Sequence, residues 1–290
     1  MTLRLLIGIF QNMSENNIFY TSENEKIRLS TFGHVNVSEK DSLIFVHGFK
    51  GFKDWGFGPY VGRYFSQRGY FVVMFNFSHN GVGESLTEFD ELDKFAANTF
   101  SREIKELSEL IDALKSGYFG EAGKNKLGLI GHSRGGAVSL LTGYLKPEVD
   151  AIAAWSSVAK LDRYSDRQKE EWKKKGSFGI MNMRTKQEMQ LNITLLEDIE
   201  NNKENLLNLE QAVSGLERPL LIAHGDQDLA VPIKEAEQLY EWSDKEKTEF
   251  FKLKKTGHTF DIKHPFEGTT EKFENLLEKT DEFFGANFKS

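Results

Sequence analysis

Leu127-Gly128-Leu129-Ile130-Gly131-His132-Ser133-Arg134-Gly135-Gly136-Ala137 is the stretch whose reading decides the fold. Leu127 to Ile130 is a short apolar run of the kind that forms a strand buried on both faces. It runs straight into a Gly-x-Ser-x-Gly pattern. An apolar helix, Ala137 to Leu145, follows and stops before Pro147. A serine between strand and helix sits on a sharp, strained turn, so its hydroxyl stands clear of the sheet. A side chain two residues before or after it would collide where strand and helix converge, hence Gly131 and Gly135. The helix N-terminus behind the serine presents free N–H groups and a partial positive charge. The pentapeptide alone is a weak signal; the strand before it and the helix after it are the context that gives it weight. The bland alternative is a glycine-rich turn that merely exposes a serine.

Working outward, Asp41 to Val46 and Tyr70 to Phe77 read as two more buried strands, with a helix from Pro59 to about Gln67 between them. Lys26 to Val37, which contains Gly33, suits an antiparallel pair at a sheet edge. Phe100, Ile104, Leu107, Ile111 and Leu114 are spaced 4, 3, 4 and 3, one face of an amphipathic helix ending near Gly117. Asp150 to Trp155, Leu220 to Ala223 and Glu249 to Leu253 supply further strands, and a helix around Phe273 to Phe284 closes the chain. Alternating strands and helices predict an α/β fold, a mostly parallel sheet with helices on both faces. Leu5 to Phe10 reads as a first strand rather than a signal peptide, since it is short and has no small-residue cleavage site.

One segment breaks the rhythm. Residues 156–218 carry no buried-strand signal, only charged helical patches and a hairpin signal around Lys175 to Leu191. We read the segment as an insertion, with 1–155 and 219–290 forming the core. Its first part, 160–186, holds nine basic and four acidic residues; its remainder, 187–218, holds two basic and seven acidic. Solvated helical faces are the plain reading, and mutual packing of the two halves the sharper one.

Composition narrows the function. The 290 residues carry 37 lysines and arginines against 44 aspartates and glutamates, a net charge of −7. Such a chain is a poor candidate for binding nucleic acid or an anionic membrane. It has no cysteine, which excludes thiol nucleophiles, disulfides and thiolate metal sites and fits a cytoplasmic protein. No apolar run approaches the roughly 20 residues of a membrane helix. There is no His-Glu-x-x-His and no Gly-x-x-x-x-Gly-Lys, so no metal or cofactor is implied.

A serine hydroxyl needs a base to act as a nucleophile, and the base needs an orienting carboxylate. His258, in Thr256-Gly257-His258-Thr259-Phe260, follows the last strand. His224-Gly225-Asp226-Gln227-Asp228-Leu229-Ala230-Val231-Pro232 follows the strand before it. Serine, acid, histidine is the chain order expected on this kind of sheet. Asp226 and Asp228 lie two residues apart, so in an extended turn only one can meet His258. His47 reads as a structural member of its loop, and His132 as packing. His79 lies in a glycine-rich turn, and His34 and His264 have no partner signal.

Together, His47-Gly48-Phe49 after the first buried strand, the Gly131–Gly135 turn, and the Gly225-x-x-Asp228-x-x-Val231-Pro232 run followed by Gly257-His258 resemble the α/β-hydrolase superfamily over nearly the whole length. Within it the chain is most similar to small bacterial carboxylesterases of the cinnamoyl/feruloyl-esterase type. Those carry a compact lid between the sixth and seventh core strands, where 156–218 sits here. The resemblance implies Ser133 as nucleophile, His258 as general base and acid, and Asp228 as orienting carboxylate. It implies an oxyanion hole from the backbone N–H groups of Phe49 and Arg134. Serine, not aspartate, at position 133 argues against the dehalogenase branch.

The expected activity is hydrolysis of small to medium carboxylic esters with apolar or aromatic acyl groups. A peptidase or acyl-peptide hydrolase on the same three residues is the alternative, although 290 residues leave no room for a propeller. A non-catalytic binding member of the fold is the third reading, and it would predict a missing residue where none is missing. Met181, Met183 and Met189, with Trp172 and Phe178, are candidates to line the substrate site, methionine being suited to irregular apolar walls. Anchoring of the insertion to the core is the equally weighted alternative. The partner is a small-molecule ester; the oligomeric state is left open, a homodimer among the options.

Overall fold

The computed structural model describes residues 15–123 and 125–289. Glu15–Tyr20 (β1), Lys26–Phe32 (β2), Ser42–Val46 (β3), Phe71–Phe75 (β4), Leu127–His132 (β5), Ala151–Trp155 (β6), Leu220–Gly225 (β9) and Thr248–Leu253 (β10) form one eight-stranded sheet. Its order is β1-β2-β4-β3-β5-β6-β9-β10. From β4 to β10 every pairing is parallel; β2 runs antiparallel to β4 and β1 antiparallel to β2. This is the α/β-hydrolase fold that the sequence resemblance implies. The expected strand at Leu5 to Phe10 lies outside the described residues.

The parallel strands alternate their side chains between two cores. Leu43, Phe45, Val72, Met74, Ala153 and Leu221 meet Gly58–Gln67 (α1) and Glu271–Asn287 (α9), whose Val61, Phe65, Phe273 and Leu277 are fully buried. Ile44, Val46, Val73, Leu129, Ile152 and Ile222 face the opposite layer. That layer is Phe100–Lys115 (α3), Arg134–Leu145 (α4) and Ile233–Trp242 (α8), with Leu92–Ala96 (α2) short and peripheral. The five apolar residues read as one face of α3 are all buried. Thr99 caps that helix, its hydroxyl accepting from the Arg102 N–H at 3.1 Å.

Residues 156–218 run between β6 and β9, the sixth and seventh strands of the sheet. They fold as Asp166–Lys175 (α5), the antiparallel hairpin Ser177–Asn182 (β7) and Gln187–Asn192 (β8), Ile193–Asn202 (α6) and Leu209–Ser214 (α7). Asp198 ties this segment to α3 by accepting the Ser101 N–H at 3.0 Å, at the helix N-terminus. The oppositely charged halves are joined by Lys173–Glu200 at 2.8 Å, a pair whose side chains are both substantially exposed and which therefore contributes little.

What holds the segment 156–218 is apolar. Trp172 is fully buried, its ring 4.9 Å from Tyr164 and 5.4 Å from Phe178. Trp172→Ala should destabilise the protein by about 3–5 kcal/mol. The Trp172 Nε1 is buried without a hydrogen-bond partner, so Trp172→Phe should cost clearly less. Denaturant unfolding of both variants measures this; equal losses would show that packing does not set the effect.

Candidate active site

Ser133 occupies the turn between β5 and α4 with φ 58° and ψ −120°, a conformation that strains any residue with a Cβ. The glycines around it are sterically forced. A Cβ on Gly131 would lie 2.4 Å from the Gly135 carbonyl oxygen, and one on Gly135 would lie 2.3 Å from that of Val46. The turn is held by the Ser133 N–H donating to the Trp155 carbonyl at 2.9 Å.

His258 arrives on the loop after β10. Its Nε2 lies 3.0 Å from the Ser133 Oγ, and its Nδ1 lies 2.7 Å from the Asp228 Oδ2. A carboxylate only accepts, so Nδ1 carries the proton and Nε2 is free to accept from the serine. Asp228, on the loop after β9, is buried; its Oδ1 accepts the N–H groups of Ala230 at 2.9 Å and Val231 at 2.8 Å. Burial alone would raise its pKa. The His224 and His258 rings and the Val231 N–H outweigh that and hold the carboxyl well below the usual range. Asp226 points into solvent.

The other histidines are braces. His47 is buried, accepts the Phe77 N–H at Nε2 (3.2 Å) and donates from Nδ1 to the Gly48 carbonyl (2.9 Å). Burial pushes its pKa down to about 4. His132 donates from Nε2 to the His258 backbone carbonyl at 2.9 Å, and burial, aided by the charge of His258, pushes it down to about 3. His79 meets the Ser78 hydroxyl at 2.7 Å, and Ser78 in turn binds Glu106. His264 accepts the Gly56 N–H at 2.9 Å and stacks on Trp55, a partnership with no sequence signal.

His224 went unassigned in the sequence. It is fully buried, donates from Nε2 to the Val231 carbonyl at 2.8 Å, and lies 3.4 Å from the Asp228 Oδ2. It pins the loop that carries the aspartate. Its place immediately before Gly225, at the end of β9, is the one clue the sequence offers.

These neutral imidazoles have a measurable consequence. An unfolded imidazole takes its proton near pH 6.5, whereas those of His47 and His132 resist protonation in the fold. The unfolded chain thus binds more protons below about pH 6.5, and stability falls as pH drops. Glu106 opposes this: burial pushes its carboxyl from 4.5 up to about 7, so its protonated form stabilises the fold at acid pH and that contribution is lost as pH rises through about 7. Glu106→Gln should therefore steepen the loss of Tm between pH 7 and pH 5. An unchanged or shallower slope would contradict it.

The N–H groups of Phe49 and Arg134 have no acceptor among the described residues. Arg134 opens α4, where the first N–H groups have no intrahelical partner. Two clefts meet at Ser133 and His258. One, of about 280 Å³, is walled by Phe45, Phe52, Trp55, Phe57 and Met183. The other, of about 350 Å³, is walled by Arg134, Val158, Lys160, Arg163 and Tyr164. Phe49 and Lys50 border both.

Of the five apolar residues of the insertion expected at the site, Met183 alone lines a cleft. Trp172, Phe178 and Met189 turn into the core beneath the insertion, behind Tyr164, and Met181 is exposed. The reason is strand register. Met189 pairs with Ile180 on the inward face of the hairpin, whereas Met181 pairs with Glu188 on the outward face. The aromatic wall comes instead from the loop between β3 and α1.

No group of histidine and carboxylate side chains suited to a metal ion occurs among the described residues. No helix among them is long and apolar enough to cross a membrane. Residues 55–290 match the prolyl oligopeptidase family. Among curated proteins none matches the sequence. Similar solved structures include a hydrolase from Agrobacterium vitis S4 (15% identity, TM-score 0.72, covering 93% of this chain and 99% of that one). Est1E from Butyrivibrio proteoclasticus with ferulic acid bound is similar too (17% identity, TM-score 0.72, 94% and 100%). So is the esterase domain of a Rhodothermus marinus protein (20% identity, TM-score 0.63, 94% and 98%). At these identities the likeness is one of fold.

Proposed function

Because the chain belongs to the prolyl oligopeptidase family, we propose that it is a serine hydrolase cleaving carboxylic esters with small to medium, apolar or aromatic acyl groups. Membership of the family supports hydrolysis. The relay from Ser133 Oγ to His258 Nε2 (3.0 Å) and from His258 Nδ1 to Asp228 Oδ2 (2.7 Å) is the observation that carries the reading.

In this mechanism the Ser133 Oγ attacks the acyl carbonyl carbon while the His258 Nε2 takes its proton. The N–H groups of Phe49 and Arg134 receive the developing oxyanion, each worth about 3 to 4 kcal/mol. His258 then gives the proton to the departing alcohol, leaving the acyl group on Ser133. Water, deprotonated by the same imidazole, attacks that acyl-enzyme; the acid departs and Ser133 regains its proton. Asp228 keeps Nδ1 protonated and stabilises the imidazolium. The segment 156–218 acts as a lid, reaching the first cleft through Met183.

Peptide hydrolysis is the second reading, favoured by the family match. A peptidase that holds a substrate ammonium needs a carboxylate in the site. Neither cleft is lined by an aspartate or glutamate, which supports the ester. A fluorophosphonate should label wild type and not Ser133→Ala. Wild type should cleave 4-nitrophenyl butyrate and leave an aminoacyl 4-nitroanilide intact. Efficient cleavage of the anilide would replace the esterase reading with the peptidase one.

A further inference from the structure

We propose that the second cleft beside Ser133 is a carboxylate-accepting subsite, so that the preferred esters carry a carboxylate on one side of the scissile bond and an apolar or aromatic group on the other. The proposal rests on the esterase reading above and names its substrate class.

Lys50, Arg134, Lys160 and Arg163 line this cleft, and no acidic side chain does. That is an unusual concentration in a chain of net charge −7. Two of the four cations are held in place by carboxylates behind the wall. The Arg163 Nη1 binds Glu235 at 2.7 and 2.8 Å, and the Arg134 Nε binds Glu103 at 2.8 Å. Glu103 also accepts from Asn98, and the Arg134 Nη2 is buried with no hydrogen-bond partner. Lys50 and Lys160 have no carboxylate partner among the described residues. The ammonium of Lys50 meets the Met181 carbonyl at 3.5 Å and the face of the Phe49 ring at 5.8 Å, and burial holds its pKa below the usual value. A half-buried cation without a counter-ion is unfavourable, and a ligand carboxylate would relieve it.

The contrast with the first cleft assigns the two halves of the substrate. That cleft is walled by Phe45, Phe49, Phe52, Trp55 and Phe57; its rim cation Arg184 lies over the Phe52 ring at 5.7 Å, and the five rings suit the apolar group. The two share Ser133, His258 and the Phe49-Lys50 border, so a bound ester whose carbonyl sits at Ser133 projects one substituent into each. A cationic wall also attracts anionic substrates from solution and repels the free ammonium of a peptide.

Two matched substrate pairs test the idea, one for each side of the scissile bond. Mono-4-nitrophenyl adipate is compared with 4-nitrophenyl hexanoate, and 3-(butyryloxy)benzoate with 3-(butyryloxy)benzamide. In at least one pair, the anionic ester should have a kcat/KM about tenfold higher, a ratio that shrinks as salt is added. Lys160→Glu and Lys50→Gln should each lower that ratio severalfold, with circular dichroism of the same preparation reporting on folding. A ratio near one in both pairs, with neutral esters turned over, overturns the subsite and leaves the esterase reading standing. A ratio that neither variant moves overturns the assignment to this cleft. Failure to hydrolyse any ester while cleaving anilides overturns the esterase reading, and the subsite with it.

Discussion

Ser133→Ala should lower kcat for ester hydrolysis by about four to six powers of ten with the fold intact. The substitution deletes one oxygen and adds no atom. The sharp turn that strains residue 133, at φ 58°, is held by neighbours the change does not touch. What is lost is the covalent route, and the three residues of such a relay act as a unit, so losing one forfeits nearly all they achieve together. What remains is binding and the two backbone donors at Phe49 and Arg134. Circular dichroism and Tm should match wild type, and substrate should still bind. More than a tenth of wild-type turnover in a preparation free of contaminating esterase would remove Ser133 from the mechanism.

The meeting of Ser133, His258 and Asp228 was legible because it is written in short motifs whose glycines answer to backbone contacts. A Cβ at either Gly131 or Gly135 would strike backbone oxygen, so the pattern is a consequence of packing. The buried strands were legible as continuous apolar runs. β1 was not, because Glu15–Tyr20 is an exposed edge strand paired on one side, with no apolar face to betray it. The helix Ile233–Trp242 was missed as well, and so was the short helix Leu92–Ala96. Of the two equally weighted readings of the insertion's apolar residues, cleft lining and anchoring, Trp172, Phe178 and Met189 follow the second. Counting methionines in 156–218 ignored register, which sends Met189 inward and Met181 outward. Phe52, Trp55 and Phe57 line the first cleft, from the aromatic-rich loop between Gly48 and Gly58. The cationic second cleft draws Lys50, Arg134, Lys160 and Arg163 from three separate segments, a convergence that only the folded chain displays.

Asp228→Asn should reduce kcat by about four powers of ten, and Asp226→Asn by no more than a few-fold. The size of the first effect follows from which way the new amide must face. The Oδ1 position of Asp228 receives two backbone donors, from Ala230 and Val231. An asparagine must keep its carbonyl oxygen there, since an amide nitrogen would oppose two N–H groups. That places its NH₂ against the Nδ1 of His258. The imidazole can then meet it only as an acceptor at Nδ1, with its proton moved to Nε2. A protonated Nε2 cannot take the proton of Ser133, so the ring is held in the unproductive tautomer rather than displaced. Asp226 has no part in this, being exposed with its carboxylate in solvent. Stability should respond differently from activity, because the asparagine retains both loop hydrogen bonds. A drop of the expected size with little change in Tm is the signature of a tautomer error; the reverse ranking of the two aspartates would give the role to Asp226.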